Sequence, residues 1–131
     1  MQNVPVMDCL DGISRADDAC WGDIPQAKTA SYTLLQGDVG TIFTNRGAAG
    51  AITFTLPAPK AGMWFTFWKA VQNQNMLVTT DVAGTKIHGG SGATQGVTLT
   101  NSTATEYGSV TVVCDGTAWF TQGVLGTWAV S

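Results

Sequence analysis

The chain has 131 residues, a length that suits one compact domain, and its net charge of −3 gives a pI of about 4.7. Only six residues are Lys or Arg and they form no cluster, which argues against nucleic acid as a partner. No apolar stretch approaches the roughly 20 residues of a membrane-spanning helix, so we also expect no membrane partner.

The low charge also bears on assembly. Charged residues make up 11% of the chain, whereas soluble domains usually carry about a quarter. A surface so poor in charge must be covered by small polar residues or buried against other chains, which favours an oligomer. The N-terminal sequence MQNVPVMDCLDG has neither the basic segment nor the apolar segment of a secretory signal, so we expect synthesis in the cytoplasm.

Residues 1–30 differ in composition from the rest of the chain and predict an extended N-terminal arm. They hold five of the nine acidic residues and show no sustained periodicity. The segment is nevertheless too apolar for a solvated tail, because it also contains Val4, Val6, Leu10 and Trp21. We therefore expect the arm to dock either on its own body or on a neighbouring molecule.

From residue 31 onward the chain predicts short strands separated by turns. Ile52, Phe54 and Leu56 alternate with threonines, which is the period-2 pattern of a strand with one buried face. Comparable segments recur to residue 123, and they predict an all-β body at 31–131: an antiparallel β-sandwich or jelly roll of about eight strands. The predicted strands are 31–35, 40–45, 51–56, 63–71, 75–81, 86–88, 96–101, 107–114 and 118–123.

Two connections in this body have clear sequence signals. Asp115-Gly116 lies between two apolar runs and predicts a tight hairpin turn. Residues 84–96 are rich in glycine and predict a surface loop with only a brief paired segment at 86–88.

The segment 63–71, MWFTFWKAV, is apolar on both of its faces. A strand of this kind needs a second layer on each side, which is either another sheet or another subunit. Most of the aromatic side chains are expected in the core, but one small domain does not easily enclose five tryptophans. We therefore predict that an oligomer interface includes Trp64, Phe65, Phe67, Trp68 and Trp128.

The sequence offers no pattern that predicts catalysis. His88 is the only histidine and lies in the glycine-rich segment, whereas Cys114 follows two valines and is expected to be buried. The spacing of cysteine and histidine does not suit zinc, and no loop has the pattern of a calcium or phosphate site. We therefore predict a protein that is not an enzyme, with no cofactor and no metal; whether Cys9 and Cys20 pair stays open.

Two stretches resemble a module that recurs in the virion proteins of tailed bacteriophages. They are TIFTNRGAAGAITFTLPAPKAGMWFTFWKA (41–70) and VTVVCDGTAWFTQGVLGTWAV (110–130), and the resemblance covers about residues 38–130. Within that group the chain is most similar to capsid decoration (cement) proteins, because it combines a short single domain with an arm. The resemblance brings no catalytic residues with it.

A decoration protein of this kind implies binding to the major capsid protein on the exterior of the virion, as a homotrimer that stabilises the shell. The arm would then contact the capsid through Val4, Val6, Leu10, Asp17, Asp18 and Trp21. The alternative is a tail-fibre module that binds a receptor or a carbohydrate through the 84–96 segment and tryptophans that stack on sugars, with Trp119 as the residue to test.

Overall fold

The computed structural model describes residues 25–81, 84–92 and 94–131. Most of the predicted arm therefore lies outside the described residues. This includes every residue predicted to contact a capsid: Val4, Val6, Leu10, Asp17, Asp18 and Trp21.

The described residues form two β-sheets, which confirms the predicted all-β sandwich. Their only helical turn is a 3-10 turn at Gln36–Asp38. The strands are β1 Gln26–Ala27, β2 Tyr32–Thr33, β3 Ile42–Thr44, β4 Ile52–Leu56, β5 Trp64–Lys69, β6 Met76–Thr80, β7 Ile87–Gly89, β8 Thr94–Gly96, β9 Thr98–Asn101, β10 Gly108–Cys114, β11 Trp119–Leu125 and β12 Ala129–Val130.

The sheets are mixed rather than purely antiparallel, which corrects the sequence-based prediction. One sheet has seven strands in the order β1-β3-β5-β10-β11-β7-β8, and the other has five in the order β12-β9-β6-β4-β2. From β1 to β6 successive strands alternate between the sheets. Because two reversals restore the direction of the chain, β3 pairs with β5 in parallel and β4 pairs with β6 in parallel. Antiparallel pairs follow later, as in the β10–β11 hairpin.

Alternation along the strands builds the core between the sheets. In β4 the side chains of Ile52, Phe54 and Leu56 are buried, as their spacing predicts. Phe54 meets Phe43 and Phe67 of the opposite sheet, with ring centroids 5.5 Å and 5.2 Å away. These aromatic contacts join the two layers at the centre of the sandwich.

The aromatic strand β5 packs against the other sheet on one face only, so among the described residues the second layer predicted for its other face is not a sheet, and another subunit stays a prediction. Phe65 and Phe67 are fully buried between the sheets, whereas Trp64 and Trp68 are 43% and 41% exposed. Trp128 is also fully buried. The assignment of Phe65, Phe67 and Trp128 to an oligomer interface is therefore corrected: these side chains fill the core of a single chain and expose no surface to a second one.

The predicted hairpin turn at Asp115-Gly116 is confirmed. The Asp115 N–H donates to the Ala118 carbonyl at 3.2 Å, and Gly116 has a φ of 99°, a left-handed conformation that glycine adopts without strain. The Asp115 carboxylate accepts the N–H groups of Thr117 and Ala118 at 2.8 and 2.9 Å. Cys114, at the start of the turn, is buried as expected.

In the glycine-rich segment, β7 confirms the brief paired segment predicted at 86–88, whereas a second strand, β8, lies where only a surface loop was predicted. Its strands β7 and β8 pair with each other, and β7 also pairs with β11 in parallel. Gly89 lies against Thr121, and a Cβ atom at Gly89 would overlap the Thr121 hydroxyl. Glycine is therefore needed here for close packing, a role that composition alone does not distinguish from flexibility.

Candidate functional site

The outward-facing side of the seven-stranded sheet carries the exposed aromatic residues of β5 and β11. Residues directly opposite one another in a ladder point to the same side of the sheet. Trp64 pairs with Val113, Val113 with Phe120, and Phe120 with His88, so one row of outward side chains crosses four strands. We call the surface around this row the outer face; it comprises Trp64, Thr66, Trp68, His88, Thr111, Val113, Phe120 and Gln122.

The middle row of the outer face is polar. Thr66 lies opposite Thr111, and Thr111 lies opposite Gln122. The hydroxyl oxygens of Thr66 and Thr111 are 2.9 Å apart and form a hydrogen bond across the ladder. The outer face therefore presents apolar aromatic side chains on both sides of a central strip of hydroxyl and amide groups.

The aromatic side chains of the outer face remain available to solvent. Trp64, Trp68 and Phe120 each expose about two fifths of their surface. Along β5, Trp64 and Trp68 are four residues apart, which places them about 13 Å from each other on the strand. A sheet face with two partly exposed tryptophans offers apolar area for contact with another protein surface.

Shallow depressions mark both ends of this face. One, of about 680 Å³, lies beside Trp68 and is bounded by Ile42, Arg46 and Tyr107. A second, of about 500 Å³, lies beside Trp64 and Gln122. These concavities can receive protruding side chains of a partner.

His88 belongs to the outer face and does not lie in a free loop. Its ring stacks on Phe120 with centroids 5.1 Å apart and an angle of 18° between the planes. The ring is half-buried on β7. Together the two rings extend the aromatic surface toward β8, beside a depression of about 470 Å³.

Asp115, in the turn between β10 and β11, has a structural role. The Asp115 pKa is lowered first by the backbone N–H groups of Ala118 and Thr117, which favour the charged form, and to a smaller extent by the charge of His88. Within the described residues no group of three His, Cys, Asp or Glu side chains could hold a metal ion. None of the helical segments described is long and apolar enough to cross a membrane.

Of the predicted site residues, the structure brings Trp64 and Trp68 together on one exposed surface. Sequence reasoning missed Phe120 and Tyr107 as surface residues, although they are 41% and 57% exposed. The signal for Phe120 was present, because Trp119 and Phe120 are adjacent in a strand and must point to opposite faces. Tyr107 precedes β10 and has no periodic signal of its own.

Comparisons with known proteins do not assign a function to the outer face. The sequence matches no protein-family model, and a search of curated proteins finds no match.

Proposed function

We propose that the protein is a capsid decoration protein of a tailed bacteriophage, which binds the outside of the shell as an oligomer and stabilises it without catalysing a reaction. The observation that carries the proposal is the outer face, where Trp64 and Trp68 are exposed on a broad, nearly uncharged sheet. The resemblance of residues 38–130 to phage virion modules points in the same direction.

The architecture suits a protein that acts through its surface. Both sheets contribute to one continuous core, so the outer face rests on a rigid layer. Exposed tryptophans on a rigid surface are the residues that most often dominate protein–protein binding energy. Because a molecule that binds only the assembled shell favours that state by mass action, decoration alone raises the stability of the capsid.

Within this proposal the outer face and the arm have separate tasks. The outer face provides contacts between protomers, which we propose form a trimer, through Trp64 and Trp68. The arm residues Val4, Val6, Leu10, Asp17, Asp18 and Trp21 contact the major capsid protein. Light scattering on the purified chain tests the trimer: a mass near three protomers supports it, and a monomer at all concentrations contradicts it.

Capsid binding tests the decoration role. Capsids of the virus that encodes the chain, prepared without it, are mixed with the purified full-length protein and then heated. We expect the protein to co-sediment with the capsids and to raise the temperature at which they open. A variant that begins at Pro25 retains all the described core residues, so it should fold but leave the capsids undecorated. Decoration by this variant at the wild-type level would contradict the role of the arm.

Carbohydrate binding is the second candidate, and the same exposed rings favour it. Trp64, Trp68 and the stacked His88–Phe120 pair offer flat apolar surfaces on which sugar rings could stack. Trp119 is fully buried and is not available for such contacts. A glycan array combined with quenching of tryptophan fluorescence separates the candidates. Saturable binding of a glycan that is lost on Trp68→Ala would favour the carbohydrate role over decoration.

A further inference from the structure

A lysine, an asparagine and a glutamate meet at one end of the sandwich, apart from the outer face. Lys69 is the last residue of β5 and points inward, in the same row as Phe65 and Phe67. Asn101 ends β9 in the opposite sheet, and Glu106 lies in the connection between β9 and β10. Lys69 and Asn101 have no exposed surface.

Hydrogen bonds hold the three functional groups in a fixed order. The Lys69 ammonium nitrogen Nζ lies 3.2 Å from Oδ1 of Asn101 and also contacts the Thr103 carbonyl oxygen. The Asn101 Nδ2 group donates to Oε1 of Glu106 at 3.2 Å. The same Glu106 oxygen accepts the Thr127 N–H, which fixes the carboxyl group from its other side. The carboxamide therefore lies between an amine and a carboxyl group.

The surrounding chain leaves the carboxamide little freedom to move. A Cβ atom built on Gly108 would lie 2.5 Å from Nδ2 of Asn101 and 3.2 Å from Nε1 of Trp128, so only glycine fits beside the amide. The Thr103 N–H donates to Oδ1 of Asn101 at 3.3 Å. The amine and the carboxamide are therefore held side by side, with Nζ 3.2 Å from the oxygen bonded to Cγ, and they have already lost much of the freedom that a reaction between two separate molecules must give up.

The environment also favours a nucleophilic amine. Burial lowers the pKa of Lys69, because an ammonium group loses the stabilisation of water; the Glu106 carboxylate opposes this change to a smaller extent. A buried lysine that loses its proton has a free electron pair on Nζ and can attack a carbonyl carbon.

We propose that Lys69 and Asn101 join through an amide bond between their side chains, and that Glu106 transfers the proton. The Nζ electron pair attacks Cγ of Asn101 and forms the new C–N bond. Once this bond has formed, Nζ and Nδ2 are attached to the same carbon, so Glu106, which already accepts a hydrogen bond from Nδ2, takes a proton from Nζ and delivers it to Nδ2. The bond between Cγ and Nδ2 then breaks, and Nδ2 leaves as ammonia. One amine and one carboxamide thus become one secondary amide and one ammonia molecule, with no oxidant or reductant.

The product would be a covalent link between the two sheets. Lys69 belongs to the seven-stranded sheet and Asn101 to the five-stranded sheet, so the new bond would close the sandwich at the end where Trp128 is buried. The inference depends on these side chains alone and is independent of the proposed capsid role. It also accounts for a lysine in a row of otherwise apolar core residues, where an unreacted charge is costly.

Peptide mapping of the full-length protein tests the proposal directly. Trypsin cleaves after unmodified lysine, so an unlinked chain yields the separate peptides 61–69, 70–86 and 87–131. The linked chain resists cleavage at Lys69 and yields a branched product in which 61–86 is joined to 87–131. The mass of this product is lower by one ammonia than the combined mass of the unlinked segments 61–86 and 87–131. The connectivity distinguishes this reaction from ammonia loss at a single glutamine or asparagine.

Matched variants separate the roles of the three residues. We expect Lys69→Arg and Glu106→Gln to lack the branched product, and Lys60→Arg, which changes an exposed lysine, to retain it. Full digestion of the folded wild-type chain into the three separate peptides would overturn the proposal, whatever the variants do. Branched product from Glu106→Gln in the wild-type amount would overturn the role assigned to Glu106.

Discussion

Replacing Gly89 by alanine gives a specific test of how the glycine-rich segment packs. Gly89 has a φ of 117°, and a Cβ atom would overlap the Thr121 side chain. Backbone strain of this kind costs about 1–3 kcal/mol, and overpacking costs about 1–3 kcal/mol more. We expect Gly89→Ala to lower the free energy of unfolding by about 2–6 kcal/mol, a large part of the roughly 5–15 kcal/mol that stabilises a typical domain.

Gly37→Ala is the matched control for this substitution. A Cβ atom at Gly37 would have no neighbour within 4 Å, and its backbone is outside the left-handed region. Alanine at such a position stabilises by about 0.4–1 kcal/mol, because it restricts the unfolded chain. Both variants are measured by guanidinium unfolding followed by tryptophan fluorescence. Equal midpoints for Gly89→Ala and Gly37→Ala would refute the packing described for β7 against β11.

Three further predictions use the same assay. Phe67→Ala should lower the free energy of unfolding by about 3–5 kcal/mol because it removes a fully buried ring, whereas Tyr107→Ala, at an exposed position, should change it by less than about 1 kcal/mol; similar losses would contradict the burial of Phe67 in the core. Asn45→Ala should lower the free energy of unfolding by about 2–4 kcal/mol, since Oδ1 of Asn45 accepts the N–H groups of Ala70 and Val71 at 2.7 and 3.0 Å; an unchanged free energy of unfolding would contradict these two hydrogen bonds. Because the folded-state pKa of Asp115 is lowered, its contribution to stability is present above the unfolded pKa and is lost as the pH falls through the folded value. The stability difference between wild type and Asp115→Ala should therefore shrink below about pH 4, and a difference that grew there would contradict the turn.

Local signals in the sequence predicted part of this fold correctly. The alternation of Ile52, Phe54 and Leu56 identified a buried face, and Asp115-Gly116 identified a hairpin, because each pattern depends on neighbouring residues alone. The parallel pairing of β3 with β5 was not predictable in this way. It results from β4 crossing to the other sheet, and nothing within either strand records that crossing.

In the candidate site, the orientation of the β5 side chains was likewise not predictable from the sequence alone. In β5 both sets of alternating residues are apolar, so the pattern could not decide whether Trp68 or Phe67 faces the core. Register with β10 and β3 fixes the choice through contacts distant in sequence. Lys69 was missed for a related reason: lysine predicts an exposed position, but its place in the inward row of β5 buries it.

We expect the outer face to join protomers to one another through its two tryptophans. Trp64 and Trp68 each expose roughly 80 Å², taking two fifths of about 200 Å² per ring. Covering that area contributes about 2 kcal/mol per residue, so removing both should weaken association roughly 1,000-fold. The control is Leu35→Ser, which removes an exposed apolar side chain in the connection between β2 and β3.

Sedimentation equilibrium measures this association directly, with the wild type, the Trp64→Ser/Trp68→Ser double variant and the Leu35→Ser control compared over the same range of concentrations. We predict a mass near three protomers for the wild type and the control, and a roughly 1,000-fold weaker association of the double variant while its circular dichroism remains that of a folded β-protein. A folded double variant that associates as tightly as the wild type, or a wild type that stays a monomer at every concentration, would contradict the role of the outer face.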